Sequence, residues 1–338
     1  MKLEPELKSK IDTLWDRFWS GGLSNPLSSI EQMSYLIFMK RLEDMDVAEE
    51  NRALAKGQTY KSVFGGHEDC RWSDWKHLSA TKMLPHVRDE VFPFIKGIHD
   101  GEKTRFSEQM KDAVFIIPKP SLLQEAVAII DDLNITSRHE DAQGDIYEYL
   151  LSELKTAGKN GQFRTPRHII RMIVELTDPD IGDRICDPAC GTAGFLVNAY
   201  EHIIRKYTSP ELIQEDEEGE FHKFHNLIGD RITEQKYWDL LWNETFYGFD
   251  FDSTMARISL MNMILHGIKA PQIRQMDTLS KGFEEHEKYT VVLANPPFKG
   301  SIDKTDINDR LTVGTTKTEI LFVERMINLL QVGAEGAE

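Results

Sequence analysis

Four polar side chains lie where short β-type runs of the sequence end. The runs are RICD (184–187), TFYGFD (245–250), PQIRQMD (271–277) and YTVVLAN (289–295). Asp187, Asp250, Asp277 and Asn295 end these runs in that order. Parallel strands bring their carboxyl ends to one edge of a sheet, where ligands bind. One such residue would be an ordinary turn former, but four in order predict a binding site at that edge.

The segment DPACGTAGFL, residues 187–196, follows the first run and opens a helical pattern. Gly191 and Gly194 let the backbone approach a ligand closely, and free N–H groups at a helix start suit an anion. The segment is not GxGxxG, and Asp187 would repel a pyrophosphate. An amino-acid zwitterion fits better, with its ammonium on Asp187 and its carboxylate on the N–H groups. A nucleotide site remains the alternative.

Two further acids extend this site. Asp250 ends the second run, where a carboxylate is well placed to bind the two hydroxyls of a ribose. Asp252 competes for that role, but Asp252-Ser253 is more typical of a helix start. Asp277 could accept a hydrogen bond from an adenine amino group. A zwitterion, a ribose and an adenine together indicate S-adenosyl-L-methionine as the cofactor.

Three stretches resemble the amino-methyltransferases that modify adenine N6 in DNA, and more closely the modification subunit of type I restriction-modification systems. They are GQFRTPRHIIRMIVEL (161–176), DPACGTAGFL (187–196) and ANPPF (294–298), in the family's order. Residues 14–45 and 144–154 also resemble segments of that family. The resemblance implies an α/β fold: a Rossmann-like, S-adenosylmethionine-dependent methyltransferase domain preceded by a mostly α-helical domain.

The resemblance also implies which residues form the cofactor pocket. They are Gln162, Phe163, Arg164, Thr165, Pro166, Arg167, Thr192, Ala193, Gly194 and Asp250. Asp187, Gly191 and Asp277 join them by the reasoning above. Thr165 could reach the methionine end, and an arginine could pair with its carboxylate in a bidentate manner. Alternatively, Arg167 is a helix-start charge held by a surface acid, because Pro166 marks a helix start.

The segment ANPPF has a chemical interpretation in that family. The adenine amino group is a poor nucleophile, because its lone pair is delocalised into the ring. The side-chain oxygen of Asn295 and the carbonyl of Pro296 could each accept a hydrogen bond from one of its two N–H groups. The prolines restrict the backbone, so the carbonyl is oriented before the substrate arrives. Phe298 could stack on the base, which requires a base flipped out of the duplex. We expect no essential general base. The structural alternative is a tight turn that closes a strand.

The resemblance implies partners as well. Two modification subunits would join one specificity subunit, and a restriction/translocase subunit would add cleavage. The net charge of −16 agrees with this, because DNA readers usually carry a basic excess. The predicted activity is methylation of adenine N6 in double-stranded DNA, with the flipped adenine chosen by the specificity subunit. Alternatives are a catalytically silent assembly module, or a methyltransferase acting on RNA or protein glutamine.

The elements that must position these residues fall into two predicted domains. Residues 1–145 form a helical domain for subunit and DNA contacts, and 146–338 form the methyltransferase domain. The predicted helices are 121–134 (with Ser121 as N-cap), 192–207, 253–266 (ended by Gly267) and 318–331. The acidic segment 211–220 is expected to be a solvated loop or a mobile insertion. Four strands are predicted where the resemblance implies seven, so we expect a domain that is incomplete at its carboxyl end.

Composition agrees with a cytoplasmic protein. There are three cysteines, fewer than a disulfide scaffold uses, and the charged start MKLEPELKSK does not resemble a signal peptide. The longest apolar runs are much shorter than a membrane span. Cys186 and Cys190 could be taken as a metal-binding pair, but no second pair or matching histidines lie nearby, so we expect no metal.

Overall fold

The structure is a computed structural model that describes residues 5–55, 57–98, 105–133, 149–150, 165–218 and 221–337. The chain divides into two compact units, Met1–Leu154 and Lys155–Glu338. In the part that is described, no helix has both the length and the apolar character that crossing a membrane requires.

The N-terminal unit is helical, as the sequence predicts. Its α-helices are α1 (Pro5–Ser20), α2 (Pro26–Ala55), α3 (Trp72–Trp75), α4 (Ala80–His86), α5 (Phe92–Gly97), α6 (Arg105–Met110) and α7 (Pro120–Asp132). A 3-10 turn (Glu68–Cys70) precedes α3, and a π-type turn (Val87–Val91) joins α4 to α5. The expectation that Ser121 caps α7 is wrong. The helix begins at Pro120 with Lys119 as its N-cap, because proline suits the first helical position.

Helix α2 contributes a long buried segment to this unit. Its residues 29–40 are all buried, because this stretch is apolar on most of its circumference. Ile30 and Leu36 are among its fully buried side chains. Farther along α2, the buried carboxylate of Asp46 accepts several hydrogen bonds, which offset its loss of water. Its donors are Tyr60, Ser62, Val63 and Arg71.

The second unit contains a five-stranded parallel sheet. Its strands are β1 (Ile185–Asp187), β4 (Phe246–Asp250), β5 (Gln272–Gln275), β6 (Tyr289–Leu293) and β7 (Leu330–Ala337). The spatial order is β5-β4-β1-β6-β7. Strand β1 is central and buried at all three positions, between β4 and β6. Four of the strands match the predicted runs, but the count of four is wrong. Strand β7 was missed because its sequence, LQVGAEGA, contains glycine, alanine and glutamate, which are poor β-formers.

Five helices complete the described part of this unit. They are α8 (Arg167–Thr177), α9 (Gly194–Lys206), α10 (Gln235–Asn243), α11 (Ser253–Leu265) and α12 (Thr318–Leu329). Helix α8 packs against α9, α9 contacts β1 and β4, and α11 contacts β4 and β5. The predicted helix 318–331 ends two residues early, because the chain enters β7 at Leu330.

The acidic segment is not the predicted loop. Strand β2 (Gln214–Glu218) pairs antiparallel with β3 (Phe221–His225) as a separate hairpin. The physical reason is found in β3, where the ring of Phe224 lies close to two guanidinium groups. The Cζ atoms of Arg171 and Arg205 lie 5.4 and 4.4 Å from its centroid. This anchoring of β3 provides a partner strand for the acidic β2.

Candidate active site

The four polar residues that end the predicted runs lie at one edge of the sheet. Asp187 and Asp250 are the last residues of β1 and β4. Strand β5 ends two residues before Asp277, and β6 ends two residues before Asn295. Since β5, β4, β1 and β6 are consecutive and parallel, their carboxyl ends share an edge. The edge therefore has the arrangement that the sequence predicts.

The turn after β1 has a backbone that few residues tolerate. Gly191 has φ +53° and Ala193 has φ +64°, both in the left-handed region. Ala193 is the N-cap of α9, and no side chain caps this helix start. The first N–H groups of α9 are therefore donors that a ligand can use. A Cβ on Gly194 would lie 3.2 Å from Cδ1 of Ile170, so glycine here lets α8 pack closely against the turn.

Side chains of α11 hold this turn in place. Asn262 Nδ2 donates to the Thr192 carbonyl at 2.8 Å, and Ser259 Oγ donates to the Gly191 carbonyl. Both side chains are fully buried in an otherwise largely apolar helix. Sequence reasoning missed Ser259 and Asn262, although two polar residues in the apolar run ISLMNMIL are a signal for such a role.

Two carboxylates are buried beneath the turn. Asp187 is 2% exposed and Asp250 is 8% exposed. Burial raises the pKa of Asp187 to about 8, and the nearby charge of Asp250 adds to this rise. Burial also raises the pKa of Asp250 to about 6, although N–H groups of Asp252 and Gly191 oppose the rise. Such a site favours a ligand that brings a positive charge or hydroxyl donors.

Asp252 has the capping role at the start of α11. Asp252 is the N-cap of α11, and its Oδ1 accepts the N–H of Met255 at 2.9 Å. The predicted capping role is confirmed. Gly267, with φ +93°, directly follows the C-cap of α11, so the predicted end of that helix is confirmed as well.

Asp277 forms a local turn in the loop after β5. Its exposed side chain accepts the N–H of Leu279 at 2.9 Å through Oδ1. The next residue, Thr278, is buried and donates to the Pro188 carbonyl at 3.0 Å. The β5 loop and the turn after β1 are therefore in contact, although one oxygen of Asp277 is used within its own loop.

The ANPPF segment directly follows β6, the other neighbour of β1. Asn295 is half-buried and Pro296 is buried, whereas Phe298 is 60% exposed. Asn295 Nδ2 donates a hydrogen bond to Thr165 Oγ1 at 2.7 Å. The amide nitrogen is thus engaged within the protein, and Oδ1 is the atom of this side chain that can accept from a ligand.

The segment ahead of α8 is described in part. Pro166 is the N-cap of α8, and the Arg167 guanidinium lies 3.9 Å from Glu201 of α9. This is the placement expected of a helix-start charge held by an acid, so a cofactor role for Arg167 stays a prediction. The predicted residues Gln162, Phe163 and Arg164 lie outside the described residues.

One exposed aromatic residue at this edge was missed. Phe251 directly follows Asp250 and is 72% exposed. A large apolar side chain so exposed beside buried carboxylates is an available surface for a planar ligand. The signal in the sequence was the run GFDF, in which an aromatic residue follows the strand-ending acid.

The two cysteines near the turn after β1 lie inside the protein. Cys186 and Cys190 are buried free thiols, and burial raises the pKa of both well above the usual range. Among the residues that the structure describes, no group of three or more histidine, cysteine or acidic side chains is placed to hold a metal ion.

Comparison with known proteins decides the family. Residues 138–337 match the N-6 DNA Methylase family, and residues 7–130 match the HsdM N-terminal domain. The chain belongs to the N-6 DNA methylase family. The family predicted from the three motifs is therefore confirmed, and so is the fold class.

Several relatives of this N-6 DNA methylase chain are methylase subunits of type I restriction enzymes. The type I restriction enzyme EcoEI methylase subunit of Escherichia coli is 28% identical over 91% of this chain and 59% of its own length. The EcoKI methylase subunit of Escherichia coli K12 is 26% identical over 98% of this chain and 57% of its own. The chain thus spans less than two thirds of the length of these curated relatives.

A solved structure gives the same fold. A Vibrio vulnificus YJ016 protein, provisionally described as a type I modification subunit, has a TM-score of 0.74 at 21% identity. It covers 97% of this chain and 68% of the other. This likeness supports the α/β methyltransferase fold with a helical N-terminal region.

Proposed function

We propose that this chain is the modification subunit of a type I restriction-modification system. It transfers a methyl group from S-adenosyl-L-methionine to adenine N6 in DNA. One observation carries the proposal. Three adjacent strands bring their polar ends to one edge of the sheet. Strands β1 and β4 end in buried carboxylates, and Asn295-Pro296 follows β6.

The residues of the turn fit the cofactor. Asp187 is a buried carboxyl group whose pKa burial raises to about 8, and an ammonium group beside it would stabilise its ionised form. The uncapped N–H groups at the start of α9 suit the carboxylate of the same ligand. Asp250 would bind the ribose hydroxyls, and Phe251 would cover the adenine. When bound, the cofactor supplies a methyl group activated by its sulfonium.

The ANPPF segment would hold the target base. Asn295 Oδ1 and the Pro296 carbonyl would each accept a hydrogen bond from the adenine amino group, which would orient its nitrogen toward the methyl carbon. In the bound complex N6 would take the methyl group from the sulfonium sulfur and would lose one proton, which would go to solvent. The two oxygens stabilise the positive charge that develops on N6. Phe298 stacks on the flipped base, which is worth about 1–3 kcal/mol by analogy with single-strand binders.

Recognition of the DNA sequence would come from a partner. The charge of −16 gives this chain little to attract phosphates, so a specificity subunit would bring the site. Two modification subunits would join one specificity subunit, and a restriction/translocase subunit would add cleavage. The helical domain, residues 1–145, would supply subunit and DNA contacts, and residues 146–338 the chemistry. The cytoplasm is the compartment where such a complex meets DNA.

A cellular experiment tests the proposal. Plasmid DNA is sequenced for modified bases from cells that carry the gene with and without its neighbouring genes, and with Asn295→Ala in place of the wild type. We expect N6-methyladenine at a defined sequence only with the wild-type chain and its partners. Equal methylation by the Asn295→Ala chain would contradict the mechanism. Methyl groups found on RNA or protein instead of DNA would favour the alternative substrates.

Cofactor binding separates an enzyme from a silent assembly module. Calorimetry on the wild-type complex should show saturable binding of S-adenosyl-L-methionine. Binding of the partners without any cofactor binding would favour the assembly module.

A further inference from the structure

The side-chain contact between Thr165 and Asn295 joins the first and last of the three motifs. Asn295 Nδ2 donates to Thr165 Oγ1 at 2.7 Å, across 130 positions of sequence. We propose that Thr165 is a positioning residue, which holds the Asn295 amide so that Oδ1 faces the target amino group. This inference rests on the proposed function, and it gives Thr165 a role other than contact with the cofactor.

The chemistry of an amide makes such a residue necessary. The two ends of the asparagine amide are nearly equal in size, but one accepts hydrogen bonds and the other donates them. A half-turn of the group would point N–H donors at the N–H bonds of the base. In the arrangement that the structure shows, the Thr165 hydroxyl accepts from Nδ2, which anchors the amide and leaves Oδ1 for the base. The amino group of the base then meets an acceptor.

Both partners are held by ordered backbone. Thr165 immediately precedes Pro166, which restricts its backbone to extended conformations. The Pro166 carbonyl accepts the N–H groups of Ile169 and Ile170 at 3.0 and 3.1 Å, so the start of α8 is well formed. Helix α8 packs on β6, the strand that leads into Asn295.

The test is made on the complete modification complex with a pair of variants. Thr165→Val removes the hydroxyl at nearly constant shape, and Thr165→Ser is the matched control that keeps it. We expect Thr165→Val to slow single-turnover methylation about tenfold and Thr165→Ser to slow it less than about twofold, as loss of one hydrogen bond predicts. The slower methylation by Thr165→Val should persist at saturating cofactor, because the hydroxyl that is lost contacts Asn295. A Thr165→Val complex that lost cofactor affinity but kept its rate at saturating cofactor would overturn the inference.

A second background separates positioning from a purely structural effect. Asn295→Asp replaces the amide by a carboxylate, whose two ends both accept, so a half-turn changes nothing. In this background Thr165→Val should slow methylation by only about twofold or less, since orientation is no longer at stake. An undiminished tenfold loss would show that Thr165 acts through the fold, which would overturn the inference.

A readout without catalysis keeps this inference apart from the proposed function. The side-chain NH₂ resonances of Asn295, assigned by comparison with Asn295→Asp, should shift in Thr165→Val and stay in place in Thr165→Ser. Unchanged resonances in Thr165→Val would overturn the contact itself. A wild-type complex that shows the contact but neither binds cofactor nor methylates DNA would instead overturn the proposed function.

Discussion

Two segments at the same edge of the sheet differ in almost every physical property. In the first segment, Asp187 ends β1 and is followed by a turn with left-handed backbone at Gly191 and Ala193. Side chains of α11 hold the turn through hydrogen bonds to its carbonyl groups. The segment after β6 ends in the outward ring of Phe298, which is 60% exposed, whereas Asp187 is 2% exposed. The first segment is closed and charged, and the second is open and neutral.

The difference indicates what each segment binds. A buried carboxylate costs free energy until a ligand brings a compensating charge, so the turn suits a ligand that carries an ammonium group. An exposed aromatic ring beside a half-buried amide suits a planar base that arrives from outside and leaves again. The comparison predicts that variants of the first segment change cofactor affinity and that variants of the second change the rate of methyl transfer.

Asn295→Ala gives the largest expected effect. Loss of one of two acceptors at the developing charge should slow single-turnover methylation by about 10²–10³-fold. Cofactor affinity should stay near that of the wild type. A variant that weakens cofactor binding as strongly as it slows transfer would break the division between the segments.

Asp187→Asn should act on the other segment. Loss of the carboxylate should weaken S-adenosyl-L-methionine binding by about 10–100-fold, measured by calorimetry, because the ammonium loses its counter-charge. Asp252→Asn is the matched control, since asparagine caps a helix nearly as well as aspartate and should leave affinity unchanged. Equal losses in both variants would contradict a specific role for Asp187.

The same Asp187→Asn variant should stabilise the cofactor-free chain. The folded-state pKa of about 8 lies above the unfolded value, so ionising this group opposes folding. The cost is absent below the unfolded pKa, near 4, and grows as pH rises toward 8. Asp187→Asn should therefore raise the free energy of unfolding at pH 8 by about 1–3 kcal/mol, with little change at pH 4. Denaturant unfolding at both pH values measures this, and a destabilised variant at pH 8 would contradict the account.

The two exposed rings provide a smaller, paired effect. Phe251→Ala should weaken cofactor affinity about tenfold, and Phe298→Ala should weaken productive binding of DNA about tenfold, each through loss of one stacked ring. Each variant is the control for the other, because both rings are exposed at the same edge. Fluorescence of 2-aminopurine at the target position measures base flipping, which should fall only in Phe298→Ala. Reversed effects would assign the rings to the opposite ligands.

The pH dependence of cofactor affinity is the smallest expected effect. The ligand's ammonium favours the ionised form of Asp187, so binding below the pKa of about 8 releases a proton. Affinity should rise several-fold from pH 6 to pH 8 and then level off, and Asp187→Asn should flatten the rise. Calorimetry in buffers of different ionisation enthalpy reads the proton release directly. Proton uptake at pH 7 would contradict the assignment.

The strands of the site could be predicted because each buried run ends in a polar residue. Strand β7 could not, since its two glycines and its glutamate are poor β-formers and its pairing with β6 is a long-range effect. The hairpin of β2 and β3 was missed for a similar reason, because its acidic strand depends on the anchored Phe224.

The candidate site shows the same limit. The types of Asp187, Asp250 and Asn295 could be interpreted from local sequence and from the resemblance to a family. The contact of Thr165 with Asn295 could not, because 130 positions separate the two residues and only the packed sheet brings them together. Local chemistry was therefore predictable, and the partners that orient it were not.

The most direct test measures rate and affinity together in Asn295→Ala and Asp187→Asn complexes. The account predicts that Asn295→Ala binds cofactor normally and hardly methylates adenine. It also predicts that Asp187→Asn binds cofactor weakly and recovers most of its rate at saturating cofactor. Loss of cofactor binding in both variants, or normal adenine methylation by Asn295→Ala, would contradict the division of labour between the two segments.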